Sequence, residues 1–280
     1  MNSYTHKQYE KVKTLLYRLT GITLGDNKEV MIANRLDKLR RSVGSDDVDA
    51  ILDGVEHGTN VEEFISSFTT NKTNFFREDF HFDDLKDRVI KEAIEHGTPL
   101  KIYCSASSTG EEPYSILMTA ETAKEEFNAP YFSYSLLATD IDLDVLDTAR
   151  KGIYEWEKNR FDFPHWIRPA KFFKRRPHPH NEGDYLIKVN EATAKNVRFD
   201  QHNLMLPSYP FAPAEFDVIF CRNVLIYFSQ ADQNKILKNL FRHLKVGGTL
   251  YLGHSESPLD LSPYVSRLGQ NIFVKNKEFA

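Results

Sequence analysis

The chain has 280 residues, 41% of them apolar and 27% charged, with a net charge of −4 and a mean hydropathy of −0.48. That length suffices for one or two domains with a sizeable core, and the mild acidity argues against general nucleic-acid binding. Cys104 and Cys221, each in an apolar run, read as reduced core residues of a cytoplasmic protein; the polar stretch Met1 to Glu10, and apolar runs well short of about 18–20 residues, lead us to expect neither signal peptide nor membrane insertion.

Residues 1 to about 70 read as helical. Tyr9, Val12, Leu15, Leu16 and Leu19 recur at helical spacing until Gly21. Val30, Ile32, Leu36 and Leu39 mark a second helix from about 28 to 43, ending near Gly44, and others are expected near 48–57 and 61–68. The second helix is basic, with Lys28, Arg35, Lys38, Arg40 and Arg41 against Glu29 and Asp37.

From residue 100 strands and helices alternate. The pattern predicts strand 100–106, a helix Tyr114 to Phe127 opened by Pro113, strand 134–139 and a helix near 143–151. It continues with strand 196–199, strand 216–221, a helix 230–244 capped by Ser229, and strand 249–253 after a turn at Gly247-Gly248. Such alternation implies a mostly parallel, doubly wound sheet with right-handed crossovers. Between Gly152 and Val197 the rhythm breaks. Twelve basic residues stand against six acidic between Arg150 and Arg198, and 171–189 reads as a β-hairpin with a long loop from Arg175 to Gly183. Local basic surface on an acidic chain suits a specific acidic partner, or simply solvated faces.

The stretch Lys101 to Ser115 (KIYCSASSTGEEPYS) carries the most chemistry. A buried strand empties into a small-residue loop and then a helix N-terminus, the nucleotide-facing corner of a doubly wound sheet. No Gly-Lys-Ser/Thr follows, and the three-glycine dinucleotide fingerprint is absent. Glu111 and Glu112 sit where a phosphate binder would avoid them, so the loop suits a ligand with a cationic amino group, such as S-adenosylmethionine. Thr109-Gly110-Glu111-Glu112 also reads as a capping box. Asp140 closes an apolar strand, where an acidic side chain can bind ribose hydroxyls or cap the next helix, a role open to Asp142 or Asp144 as well.

Five stretches in this order, behind a helical domain, resemble the chemotaxis receptor methyltransferases, the CheR family. They are Thr70 to Arg77 (TNKTNFFR), Cys104 to Ser115 (CSASSTGEEPYS), Ala138 to Asp142 (ATDID), Phe220 to Phe228 (FCRNVLIYF) and Gly253 to Ser257 (GHSES). The resemblance implies a Rossmann-like S-adenosylmethionine methyltransferase domain over 76–280, with a small β-subdomain inserted at about 168–192. It also implies an N-terminal helical domain over 1–75 that recognises receptors. By resemblance, Asn71, Thr73, Arg77, Ala106, Glu112, Asp140, Asn203, Leu204, Arg222 and Asn223 bind the cofactor, with Glu111 as fallback for Glu112; Arg77 and Tyr227 lie at the transferred methyl. Arg35, Arg40 and Arg41 would read the acidic methylation helices of transmembrane chemoreceptors, and the 171–189 hairpin would dock a receptor's C-terminal tail. The implied reaction converts receptor glutamates to methyl esters, leaving S-adenosylhomocysteine.

His178 and His180, in a proline-rich loop without nearby Cys or paired acids, are read as loop residues, so no metal is expected. Lys174-Arg175-Arg176 lacks a nucleic-acid recognition motif, and His254 has no assigned role. A monomer is expected. Two rival readings are a same-fold methyltransferase acting on another substrate and a cofactor-binding scaffold or sensor without catalysis; Arg77 and Tyr227 argue against loss of catalysis.

Overall fold

The computed structural model of the chain describes residues 4–156 and 163–278. Residues 157–162, within the basic and aromatic stretch noted above, lie outside the described residues, as do 1–3 and 279–280 at the ends of the two expected domains. Among the described residues, four helices come first: α1 (His6–Thr20), α2 (Glu29–Val43), α3 (Val48–Glu56) and α4 (Val61–Phe68). Their ends follow local chemistry. Thr5 and Gln8 form a capping box on α1, Asp47 caps α3, and Gly21 and Gly44 close α1 and α2 in the left-handed conformation. Val12, Leu16, Ile32, Leu36, Leu52 and Phe64 bury together in a core separate from that of the sheet.

A helix absent from the sequence reading follows: α5 (Phe80–Asp84), a π-helical turn (Leu85–Ile90) and α6 (Lys91–Glu95). Its buried positions Phe82, Leu85, Val89 and Ala93 keep helical spacing, so the signal was present among the charged residues. The alternating part then runs β1 (Leu100–Ser105), α7 (Glu111–Glu126), β2 (Tyr134–Asp140), α8 (Leu143–Lys151), β3 (Ile153–Trp156), α9 (Pro169–Phe172), β4 (Phe173–Pro177) and β5 (Tyr185–Val189). It ends with α10 (Glu191–Ala194), β6 (Val197–Gln201), β7 (Phe216–Cys221), α11 (Gln230–His243), β8 (Leu244–Leu252), β9 (Val265–Gly269) and β10 (Ile272–Lys275).

The main sheet has the order β6-β2-β1-β7-β8-β10-β9, parallel from β6 to β8 and antiparallel beyond. The chain leaves β1 for β2 and β6 on one side, and later returns to place β7 and β8 on the other. Strand order therefore reverses between β1 and β7, and loops diverge there to leave a crevice at the carboxyl ends. β4, β5 and β3 form a second, antiparallel sheet.

The Rossmann-like sheet, the helical N-terminal part and the small β-subdomain agree with expectation, and several details do not. α7 begins at Glu111 rather than Tyr114; Pro113 still falls in the first turn, where no intrahelical N–H bond is needed. The expected hairpin gains a third strand, β3, and its loop shrinks because Arg175 to Pro177 belong to β4. Gly247-Gly248 is not a turn before the strand but an irregularity inside β8. Gly247 has φ 82°, and a Cβ on Gly248 would stand 2.9 Å from the Asp217 carbonyl oxygen. The hairpin β9–β10 was not foreseen.

Gly110, at φ 99°, lets α7 start against α8. A Cβ there would lie 2.8 Å from the Ala149 Cβ and 2.9 Å from the Tyr154 hydroxyl. Gly110→Ala is expected to lower unfolding stability by about 2 kcal/mol through conformation and overpacking combined. An unchanged midpoint in chemical denaturation would refute this account.

Candidate active site

The crevice opens into a cavity of about 890 Å³, open solvent at its mouth included. The chain turns sharply after β1: Ala106 (φ 51°) and Ser108 (φ 50°) both take left-handed dihedrals. Such residues cost on the order of 1–3 kcal/mol each. The turn is held by Ser107 N donating to the Thr139 carbonyl at 2.8 Å and Ser108 N to Asp140 Oδ2 at 2.8 Å.

Asp140, the last residue of β2, is only 7% exposed. Its other oxygen accepts from Asp142 N at 3.0 Å. Burial raises its pKa to about 6 despite these donors. The cap of α8 is Asp142, which accepts from Asp144 N, so Asp140 is not the helix cap.

The capping-box alternative for Thr109 is not realised. The N-cap position of α7 is Gly110, without a side-chain bond, and the Thr109 hydroxyl donates instead to Glu111 Oε2 at 2.6 Å. Glu111 is absent from the cavity wall, whereas Glu112 lines it. Arg222 Nη1 donates to Glu112 Oε2 at 2.5 Å, and the Cys104 thiol lies 3.3 Å from Oε1. The buried Arg222 also reaches Glu78 Oε2 at 3.1 Å and the Arg77 carbonyl through Nη2. Burial works to raise the Glu78 pKa, but the Arg222 charge, with help from Asn223, outweighs it and keeps the carboxyl below its ordinary range. Two carboxylates against one guanidinium leave one formal negative charge on this cluster. Arg222, expected to touch the cofactor, does line the cavity, with its charge paired to these carboxylates.

Asn223 (φ 57°) donates through Nδ2 to Glu78 Oε1 at 3.2 Å. Glu256, 5% exposed, fastens the same loop by accepting from Asn223 N (2.9 Å), Leu225 N (2.7 Å) and Gly253 N (2.6 Å). The loop carries Tyr227, in the 3-10 turn Leu225–Tyr227, to the cavity; Thr23 N, from beyond α1, donates to the Tyr227 carbonyl at 2.9 Å. His254 N lies 3.4 Å from Glu78 Oε1, which places that backbone beside the same cluster.

On the near side, residues 69–73 strap the helical part to the sheet. Phe75 and Phe76 anchor the end of the strap, Phe75 against Tyr154 and Phe173, and Phe76 against Phe82 and Trp166. Phe76 (φ 51°) and Glu78 (φ 56°) bracket Arg77. The Arg77 side chain is exposed on the cavity wall, with Nη1 3.3 Å from the Lys72 carbonyl oxygen.

Asn71, Thr73, Arg77, Ala106, Glu112, Asp140, Asn203, Leu204, Arg222, Asn223 and Tyr227 all line this one cavity. The Asn203 amide, expected to bind the cofactor, is already bonded: Nδ2 donates to the Leu19 carbonyl at 2.8 Å and Oδ1 accepts from Met205 N at 2.9 Å. Sequence reasoning missed Thr20 and Ile22 from the helical part, and His202, which is buried with no partner at Nε2. Burial, with His243 nearby, lowers the His202 pKa to about 4, so it is neutral at pH 7. Its place at the carboxyl end of β6 was the available signal.

The basic helix departs from expectation. Arg35 turns inward and donates to the carbonyls of Ser67 (3.1 Å) and Thr69 (2.5 Å) and to Thr70 Oγ1 (2.7 Å). Arg40 pairs with Asp37 and Asp46, and Arg41 is exposed. The physical reason is proximity: carbonyls at the end of α4 and carboxylates beside α2 lie within reach of both arginines.

Two family models match this chain: the CheR methyltransferase all-alpha domain over residues 7–69, and the CheR methyltransferase SAM binding domain over 71–271. The chain belongs to the CheR methyltransferase family. It is 38% identical to the chemotaxis protein methyltransferase of Escherichia coli K12, over 96% of this chain and 91% of that one. It is 35% identical to chemotaxis protein methyltransferase 2 of Pseudomonas aeruginosa PAO1, over 96% and 93%. Against the chemotaxis protein methyltransferase of Borreliella burgdorferi the identity is 33%, over 90% and 89%. The activity is S-adenosylmethionine-dependent methylation in chemotaxis.

The residues present fit that cofactor. The left-handed turn at Ala106 and Ser108 lets a ligand approach the backbone, the Glu78–Arg222–Glu112 cluster carries one formal negative charge beside the cavity, and Asp140 stands at the end of β2. A carboxylate accepts two ribose hydroxyls better ionised than protonated. Because Asp140 gains its proton as pH falls through about 6, cofactor affinity is expected to be flat above that value. Below it, Kd should rise toward tenfold per pH unit. Calorimetric titration from pH 8 to pH 5 tests this, and an acid limb that persists in Asp140→Asn would assign it to another group.

Proposed function

We propose that the enzyme methylates glutamate side chains in the cytoplasmic helices of transmembrane chemoreceptors. The carrying observation is the cavity at the strand-order reversal: Glu112 on its wall, paired with Arg222 and backed by Glu78, with Arg77 and Tyr227 along the same wall. Bound there, S-adenosylmethionine supplies a methyl group on a positively charged sulfur, and in-line displacement by a carboxylate oxygen gives a methyl ester and S-adenosylhomocysteine. Glu112, with Glu78 behind Arg222, attracts the cofactor's ammonium group, and Asp140 takes its ribose hydroxyls. Asn71, Thr73 and Ala106 flank it; His202, Asn203 and Leu204 border the base.

A glutamate carboxylate, with a reference pKa of about 4.3, is already an anion at neutral pH, so the reaction needs no general base. The work of the enzyme is alignment and removal of water. The exposed Arg77 guanidinium orients the incoming carboxylate by its forked donors, and Tyr227 limits the direction of approach. Each transfer removes one negative charge from the acceptor.

Residues 1–75 recognise the receptor and 76–280 perform the transfer. Arg41, on the outer side of α2, is the arginine best placed to read an acidic helix. The β4 edge, with Lys174, Arg175 and Arg176 exposed, offers unpaired backbone groups and positive charge to a receptor tail within segment 171–189. We place the enzyme in the cytoplasm as a monomer.

Transfer of labelled methyl to receptor-containing membranes, followed by mild alkali, should release volatile methanol, the signature of a carboxyl ester. Stable label, or none despite cofactor binding, would point to another acceptor. Arg77→Ala should lower kcat about a hundredfold while leaving thermal unfolding nearly unchanged; near-normal turnover would remove Arg77 from the mechanism.

A further inference from the structure

We infer that Arg35 is a positioning residue for the cofactor cavity, holding the strap 69–73 from the helical side, rather than a reader of acidic partners. The inference rests on the cofactor reading of the cavity.

Arg35 lies on α2, but its guanidinium spends its donors on the carbonyls of Ser67 and Thr69 and on the Thr70 hydroxyl. One turn further on, Lys38 donates to the Ser66 carbonyl at 2.9 Å. These carbonyls belong to the end of α4, where helical geometry leaves acceptors without intrahelical partners and the helix dipole favours cations. The two side chains thus close α4 at the point where the chain becomes the strap.

The opposite side of the strap is bound to the sheet. The Thr69 hydroxyl donates to Asp142 Oδ2 at 2.7 Å, Asn71 Nδ2 donates to the same oxygen at 3.0 Å, and the Ser108 hydroxyl donates to the Asn71 carbonyl at 3.1 Å. Asp142 N and Ser108 N in turn hold the two oxygens of Asp140. A continuous set of hydrogen bonds therefore runs from Arg35 through Thr69 to Asp142 and on to Asp140. The strap is clamped between a guanidinium on α2 and a carboxylate at the start of α8, and it lines the cavity between them. Without Arg35 the helical side keeps only Lys38 on the Ser66 carbonyl, which does not reach the strap itself. The planar fork matters, because Nη1 serves the Ser67 and Thr69 carbonyls while Nη2 serves the Thr70 hydroxyl, a spread that the single nitrogen of a lysine does not reproduce.

The test uses the full chain with S-adenosylhomocysteine as the calorimetric probe, and compares Arg35→Ala, Arg35→Lys and Arg41→Ala at a temperature where thermal melts show each to be folded. Arg35→Ala should raise the probe Kd at least about fivefold, or about 1 kcal/mol, with Arg35→Lys between it and the parent and Arg41→Ala close to the parent. At saturating cofactor, the receptor KM should rise for Arg41→Ala and stay near the parent value for Arg35→Ala. If Arg35→Ala binds the probe as the parent does and raises only the receptor KM, the inference is overturned and Arg35 reads the acceptor. If Arg35→Ala does not fold, Arg35→Lys decides: parental affinity in that variant overturns the inference. Failure of the parent chain itself to bind the probe would overturn the cofactor reading first and this inference with it, a result distinct from unequal binding among variants.

Discussion

Arg222 leaves the end of β7 with its side chain buried, and a guanidinium in that position has to be paired. Glu112 from the first turn of α7 and Glu78 from the segment after the strap supply the pairs. The remaining site geometry follows from that demand. Glu78 is held in a left-handed conformation, which sets Arg77 beside it, and its second oxygen collects Asn223. Three segments distant in sequence, 76–78, 111–112 and 222–223, meet at one charge. Removing either carboxylate would leave a buried cation short of a partner, so the cluster resists piecemeal change.

The cavity is a joint product of the helical part and the sheet. Thr23 N bonds the Tyr227 carbonyl, Asn203 bonds the Leu19 carbonyl, and the Ser66 hydroxyl bonds Asp144. Thr20 and Ile22 form part of the wall. The helical part is thus hydrogen-bonded to the floor and sides of the cavity. Displacing the helical part would therefore disturb the cavity, where a reaction that aligns two reactants needs fixed geometry.

Glu256 shows a second economy. One carboxylate satisfies three backbone N–H groups where the loops after β7 and β8 approach each other. Asn271, in the turn between β9 and β10, then holds the carbonyls of Gly253, His254 and Glu256. The C-terminal hairpin therefore braces the loop that carries Asn223 and Tyr227, although neither of its strands reaches the cavity.

Much of this was legible before any fold was known. Local helical signals located α1 to α4, with glycine stops for α1 and α2, because each helix buries a single face. The β1 loop, Asp140 and the Arg222 to Tyr227 run marked the ligand end of the sheet, since strand ends in a doubly wound fold carry the site. What stayed hidden was partnership. Whether Glu112 caps its helix or faces a ligand is undecided by Thr109-Gly110-Glu111-Glu112, because both readings use the same residues; a left-handed Gly110 leaves the cap unformed, and Glu112 lines the cavity paired with a buried Arg222 more than a hundred residues away. The same holds for Arg35, whose sequence neighbours advertise a basic outer face while its guanidinium closes the next helix but one. The chain order specifies which charges exist and on which element; only packing in three dimensions decides which of them find one another and which remain for a ligand.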